Sequence, residues 1–138
     1  MGDARKSFRV GPEDGVWEPA SYNVRWADGR EYGRWRRVLR QDSHGLTVIS
    51  RYTAPPGKAW KIIGKASALG EEVYILDGAY YSASGGIIAR PGTFLFNAPG
   101  AVHGGISRDI TLYIHCCSGK PDEIVSIDLI DFAPAEPL

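Results

Sequence analysis
A chain of 138 residues, 43% hydrophobic and 23% charged, has the balance of one ordered domain with a single core and room for one cavity. Sixteen Lys and Arg cancel sixteen Asp and Glu, so no overall field favours nucleic acid or an anionic membrane, and neither is expected as a partner. Residues Met1 to Lys6 lack an apolar signal core, and no run approaches the roughly 18 apolar residues of a membrane span, which predicts a cytoplasmic protein.

In chain order, residues 1–40 read as an N-terminal arm with short strands, part of the same domain as a barrel over 41–138. The arm carries Trp17, Trp26 and Trp35, more apolar area than a thin arm hides on its own barrel, and aromatics and arginine are enriched at interfaces. A homodimer is expected. Arg34, Arg36 and Arg37 around Trp35 have two readings, an anion-recognising patch or an exposed strand edge protected by charge. His44, between Ser43 and Gly45, is an exposed turn residue with no chemistry assigned.

Eight strand candidates follow: Leu46 to Tyr52, Trp60 to Ile63, Glu72 to Leu76, Ala79 to Ser82, Ile87 to Arg90, Thr93 to Asn97, Ile110 to Cys116 and Ile124 to Ile130. Turn signals such as Pro55-Pro56-Gly57, Asp77-Gly78 and Pro99-Gly100 separate them, because proline presets φ and glycine supplies positive φ. The spacing predicts an all-β sandwich or barrel with little helix. Alternation on the Ile110 to Cys116 strand puts Ile110, Leu112 and Ile114 on a core face and Thr111, Tyr113 and His115 on a face that could line a polar cavity. Cys116 and Cys117 are neighbours whose side chains point to opposite faces, so they read as reduced thiols.

The segment from Gly57 to His103 resembles the two motifs of the cupin superfamily. Glu71, six residues and Gly78 reproduce the second half of the first motif, and "EEVYILDG" is similar to the family's usual wording of that strand and turn. The first half, His-x-His, is not matched. Its positions fall on Lys65 and Ser67 with a three-residue spacer before Glu71, or on Gly64 and Ala66 with the longer one. In the second motif Gly92, Gly100 and His103 fit, Ala98 replaces a proline and Ser107 an asparagine. The resemblance is nearest to the RmlC-like branch with acetylacetone-cleaving dioxygenases and an anti-sigma-factor cupin domain. It implies a single-domain cupin jelly-roll β-barrel, a double-stranded β-helix, whose cavity binds a small molecule.

That resemblance implies a site at Glu71 and His103; Lys65, at a former ligand position, has two readings, a third catalytic group pairing its ammonium with Glu71 or a side chain reaching solvent while Glu71 caps the turn before its strand. Parity adds Val73 and Ile75 as flanking walls, with Trp60, Phe94, Phe96, Tyr113 and His115 as further pocket residues. No cofactor is expected. If one is held, it is a divalent transition metal (Fe, Mn, Zn or Ni) on Glu71, His103 and His115. The function implied is proton-transfer chemistry on a small, mostly apolar substrate: isomerisation, cyclisation, elimination or cleavage next to a carbonyl. A metal-dependent dioxygenase and a non-catalytic ligand sensor are the alternatives.

Overall fold
The structure is a computed structural model that describes residues 7–138; the six residues before them, on which the reading of the chain's start rests, lie outside the described residues. Among the described residues there is no helix, and so none long and apolar enough to cross a membrane. The described residues form twelve strands in two antiparallel sheets. The larger sheet runs β1 (Glu18–Pro19), β3 (Glu31–Asp42), β4 (Gly45–Thr53), β11 (Ile110–Cys116), β6 (Glu71–Gly78) and β9 (Phe94–Asn97), with β2 (Val24–Arg25) also paired to β3. The smaller runs β12 (Glu123–Asp131), β5 (Lys58–Lys65), β10 (Val102–Ser107), β7 (Tyr80–Tyr81) and β8 (Ile87–Ala89).

Sequence-adjacent strands repeatedly fall in different sheets, β5 and β6 among them, so the chain winds back and forth across the sandwich. The apolar inward faces then meet. Val73, Ile75, Ala89, Ile110 and Leu112 form one buried cluster, and Leu46, Val48 and Cys116 a second. Burying such side chains contributes on the order of 1.5–3 kcal/mol each, the main favourable term for a sandwich of this size.

Two segments differ from the sequence expectation. Glu31–Asp42 is one strand of 12 residues rather than short pieces of an arm, because β4 pairs with it from Gly33↔Thr53 to Asp42↔Gly45 and satisfies its backbone. Val102–Ser107 is also a strand, one that is not among the eight candidates. Both of its glycines are required by packing: a Cβ on Gly104 would sit 2.7 Å from the Ile62 carbonyl, and one on Gly105 would sit 2.4 Å from the Tyr80 ring. The arm lies on its own barrel, with the Arg51 guanidinium 4.7 Å over the Trp17 ring, so Trp17, Trp26 and Trp35 are all part-buried within one chain.

Candidate active site
Between the sheets lies a cavity of about 530 Å³. Its polar end is built from three elements. Glu71 opens β6 in the larger sheet, His103 sits on β10 in the smaller sheet opposite Gly64, and Asp122 closes the gap from the loop before β12. His103 Nε2 lies 2.9 Å from Asp122 Oδ2 and 3.7 Å from Glu71 Oε1. With a carboxylate at hydrogen-bond distance, Nε2 carries the proton and donates it to Asp122. Asn97 Nδ2 donates to Glu71 Oε1 at 3.0 Å, and the Ser67 N–H donates to Asp122 Oδ1 at 3.2 Å, so both carboxyl groups are fixed from a second side. The Cys116 thiol lies 4.0 Å from Asp122 Oδ1, and burial pushes its pKa up to about 12, which keeps it neutral.

The three groups hold unequal charges. Glu71 is 5% exposed; burial first, then a hydrogen bond and the negative charge of Asp122, raise its pKa to about 8, against the pull of Asn97 and His103. Burial also works to raise Asp122, but hydrogen bonds from His103, Glu71 and the Ser67 N–H outweigh it and hold that carboxyl below its ordinary value. His103 is raised by its hydrogen bond to Asp122, with burial opposing and Glu71 assisting. In the metal-free protein at neutral pH, Glu71 is the protonated member and donates to an ionised Asp122.

Backbone geometry at Gly70 makes the site possible. Its φ is +87°, and a Cβ there would meet the Asn97 carbonyl at 2.7 Å and the Phe96 ring at 2.9 Å. Only glycine lets β6 start this close to β9, which brings Glu71 and Asn97 together as register partners.

Of the residues expected at the site, the structure brings together Glu71 and His103, with Val73 in the wall. Ile75 shares the inward parity but is fully buried in the core rather than facing the cavity. Lys65 points outward and is exposed, so it makes no pair with Glu71. The inward positions are Gly64, which lines the cavity, and Ala66, which is buried: the longer motif spacer is the one in register. Trp60 is a core residue whose Nε1–H donates to the Thr53 carbonyl at 2.8 Å and whose ring packs against Tyr22. Phe94 and Phe96 are each 56% exposed on the outer face of β9, while Leu95 and Asn97 between and beside them face the cavity.

The face assignment on β11 is also reversed. Leu112, Ile114 and Cys116 line the cavity, and Tyr113 and His115 face out, because the cavity wall is the apolar face and not a polar one. His115 Nδ1 lies 2.9 Å from Thr47 Oγ1, and its ring occupies the space a Cβ on Gly45 would need. Outside the barrel it groups with Glu72 and Cys117. Asp122 carries no motif, and Arg34 and Arg36 enter the cavity wall from β3.

One donor atom each from Glu71, His103 and Asp122 fits within 4.8 Å of the others. One imidazole and two carboxylates suit a divalent transition ion, so these residues, and not His115, would hold one. A bound ion would supply Lewis-acid or redox chemistry at this end of the cavity.

No family model matches the chain, and no curated protein matches it. Solved structures do. An acetylacetone dioxygenase from Acinetobacter johnsonii superposes with a TM-score of 0.58 at 14% identity over 94% of this chain and 88% of that one. An RmlC-like cupin protein from Ralstonia eutropha gives 0.58 at 12% over 90% and 80%, and the polyketide cyclase RemF from Streptomyces resistomycificus gives 0.58 at 15% over 89% and 88%. The two wound antiparallel sheets and these likenesses define the class: an all-β protein with the cupin jelly-roll fold. At this identity the likeness establishes the fold; the chemistry has to come from the site.

Proposed function
We propose that the chain is an enzyme that binds a small, largely apolar carbonyl compound in the barrel and moves a proton on and off the carbon next to the carbonyl. The observation that carries this reading is the buried cluster at one end of an otherwise apolar cavity, with Glu71, His103 and Asp122 in mutual hydrogen-bond or near-contact range. Proton transfer between carbon and oxygen needs an acid at the oxygen and a base at the carbon, held in fixed geometry. Protonated Glu71 serves as the acid. His103, oriented by the Nε2–H bond to Asp122, serves as the base through Nδ1 in its neutral form and shares the resulting positive charge with Asp122. Isomerisation, aldol-type cyclisation and elimination beside a carbonyl begin with such a step, and cleavage there ends with its reverse.

A second reading, a metal-dependent dioxygenase, is favoured by the three-donor set and by likeness to a protein described as an acetylacetone dioxygenase. One experiment separates the two. The protein is treated with chelator, its metal content is measured, and acetylacetone and less acidic ketones are incubated with it in deuterium oxide. Metal-free protein should accelerate deuterium incorporation, and Glu71→Gln and His103→Ala should each lower the rate by about 10-fold or more while the barrel stays folded. Exchange no faster than buffer in the metal-free protein, with oxygen-consuming cleavage of acetylacetone restored by added iron, would replace this reading with the second.

A further inference from the structure
We infer that the cavity takes an elongate organic carboxylate, anchored by Arg34 and Arg36 at the end remote from Glu71. This rests on the proposed function in one respect: the reacting part of the ligand lies at Glu71, His103 and Asp122.

Arg34 and Arg36 occupy alternate positions of β3 and therefore share a face, and both line the same cavity as Glu71 and His103. Register places them along its length. Arg36 pairs with Ser50, Ser50 with Leu112, and Leu112 with Ile75, which is four residues along β6 from Glu71. That offset corresponds to about 13 Å along the strand direction. Arg34 lies beyond it, paired with Tyr52. The two acidic side chains of the cavity wall, Glu71 and Asp122, are both at the other end. Hydroxyl-bearing Ser50, Tyr52 and Ser107 share the wall, and the stretch between is apolar, with Val48, Val73 and Ile114.

The arginines are poorly served by the protein itself. The Nε atoms of both are buried with no hydrogen-bond acceptor among the described residues. Arg37 and Arg40 share that feature but lie away from the cavity, and the Arg37 guanidinium instead meets the Gly11 carbonyl. Among the described residues Arg36 has one ion partner, Glu18, at 3.7 Å; that carboxylate is 60% exposed and contributes little. Burial raises the Tyr22 and Tyr52 hydroxyls, and the Arg34 charge works against that rise in both, so this cation sits among phenols rather than carboxylates. A guanidinium fork facing an apolar stretch of the cavity, with the cavity's carboxyl groups at the other end, matches a planar, bidentate anion on an apolar body. This accounts for the arginine cluster more fully than protection of a strand edge, because β3 is paired on both sides and Arg34 and Arg36 face inward.

Octanoate and octanamide test the anchor, since they share shape and differ in charge. By titration calorimetry, wild-type protein should bind octanoate about 10-fold or more tighter than octanamide, the scale of a charge-assisted hydrogen-bonded pair. Arg34→Met and Arg36→Met should each remove most of that preference, weakening octanoate far more than octanamide. Arg34→Lys should keep part of it, and Glu71→Gln should keep all of it even though it slows deuterium exchange. Equal binding of the two probes, or a preference that survives both arginine substitutions together, overturns the anchor and leaves the proton-transfer reading standing. Failure of both probes to bind overturns the anchor and the ligand-binding cavity together.

Discussion
Glu71 is the residue on which the site's charge state depends, because its proton is retained by burial and by the neighbouring Asp122 charge. The linkage has a definite sign. The folded pKa of about 8 stands above the ordinary carboxyl value of 4.5, so between those values the folded metal-free chain binds more protons than the unfolded one. Stability from this group is complete below the ordinary value and is lost as pH rises through the folded one. His103 is also raised and acts in the same direction above its ordinary value; Asp122 is lowered, and its contribution is lost only in acid, below its ordinary value. Metal-free protein should therefore lose on the order of 1–3 kcal/mol of unfolding free energy between about pH 5 and pH 8. Glu71→Gln keeps the shape without the titration and should flatten most of that slope in urea melts. A wild-type slope retained in the variant would show that Glu71 does not hold the proton.

At this scale the sequence revealed Glu71 and His103, because motif spacing measures register along paired strands. It could not reveal Asp122, which reaches the cavity from a loop with no motif around it, and it left Lys65 and Gly64 as alternatives. Moving one residue along a strand exchanges inside for outside, so the wrong spacer put an ammonium in the cavity where there is a hydrogen atom.

Strands show the same contrast between position and face. Ile110–Cys116 and the β4 region were legible as apolar runs between turn signals, and β3 was obscured by its four arginines, since inward charges break the apolar alternation that marks a barrel strand. The outward placement of Phe94, Phe96 and Tyr113 was equally hidden, because large aromatics read as core until the cavity wall is known to use the alternate residues. Two glycines on neighbouring elements allow a direct comparison. At Gly70 an added methyl collides with backbone at positive φ, whereas at Gly64 a Cβ would stand 3.5 Å from the Glu123 carbonyl and 3.6 Å from the His103 ring, ordinary contact distances. Gly70→Ala should cost about 1–3 kcal/mol and slow deuterium exchange by displacing Glu71; Gly64→Ala should fold within about 1 kcal/mol of wild type. Equal stability of the two variants in chemical denaturation would mean that β6 can begin without the left-handed turn.

On the whole molecule, the outer face of the larger sheet carries a row of exposed aromatic side chains. Tyr74 is the register partner of both Phe94 and Tyr113, so three aromatic rings stand in one row across β9, β6 and β11, at 56%, 41% and 37% exposure, with Phe96 and Leu76 alongside at 56% and 46%. We propose that a second copy of the chain covers this face. Aromatic side chains give much contact area for little lost rotamer entropy, and a net charge of zero sets no overall repulsion against self-association. The tryptophans of the arm, which gave the sequence its reason to dimerise, are instead part-buried against their own barrel. The two routes are separable. Light scattering at micromolar concentration should give a dimer for wild type and for Trp17→Ser, and a monomer for Phe94→Glu, whose carboxylate would be buried unpaired in the interface at a cost of several kcal/mol. Octanoate binding should survive in the monomer, because Phe94 faces away from the cavity. A monomeric wild type would remove the proposal, and a dimer lost in Trp17→Ser but kept in Phe94→Glu would return the interface to the arm.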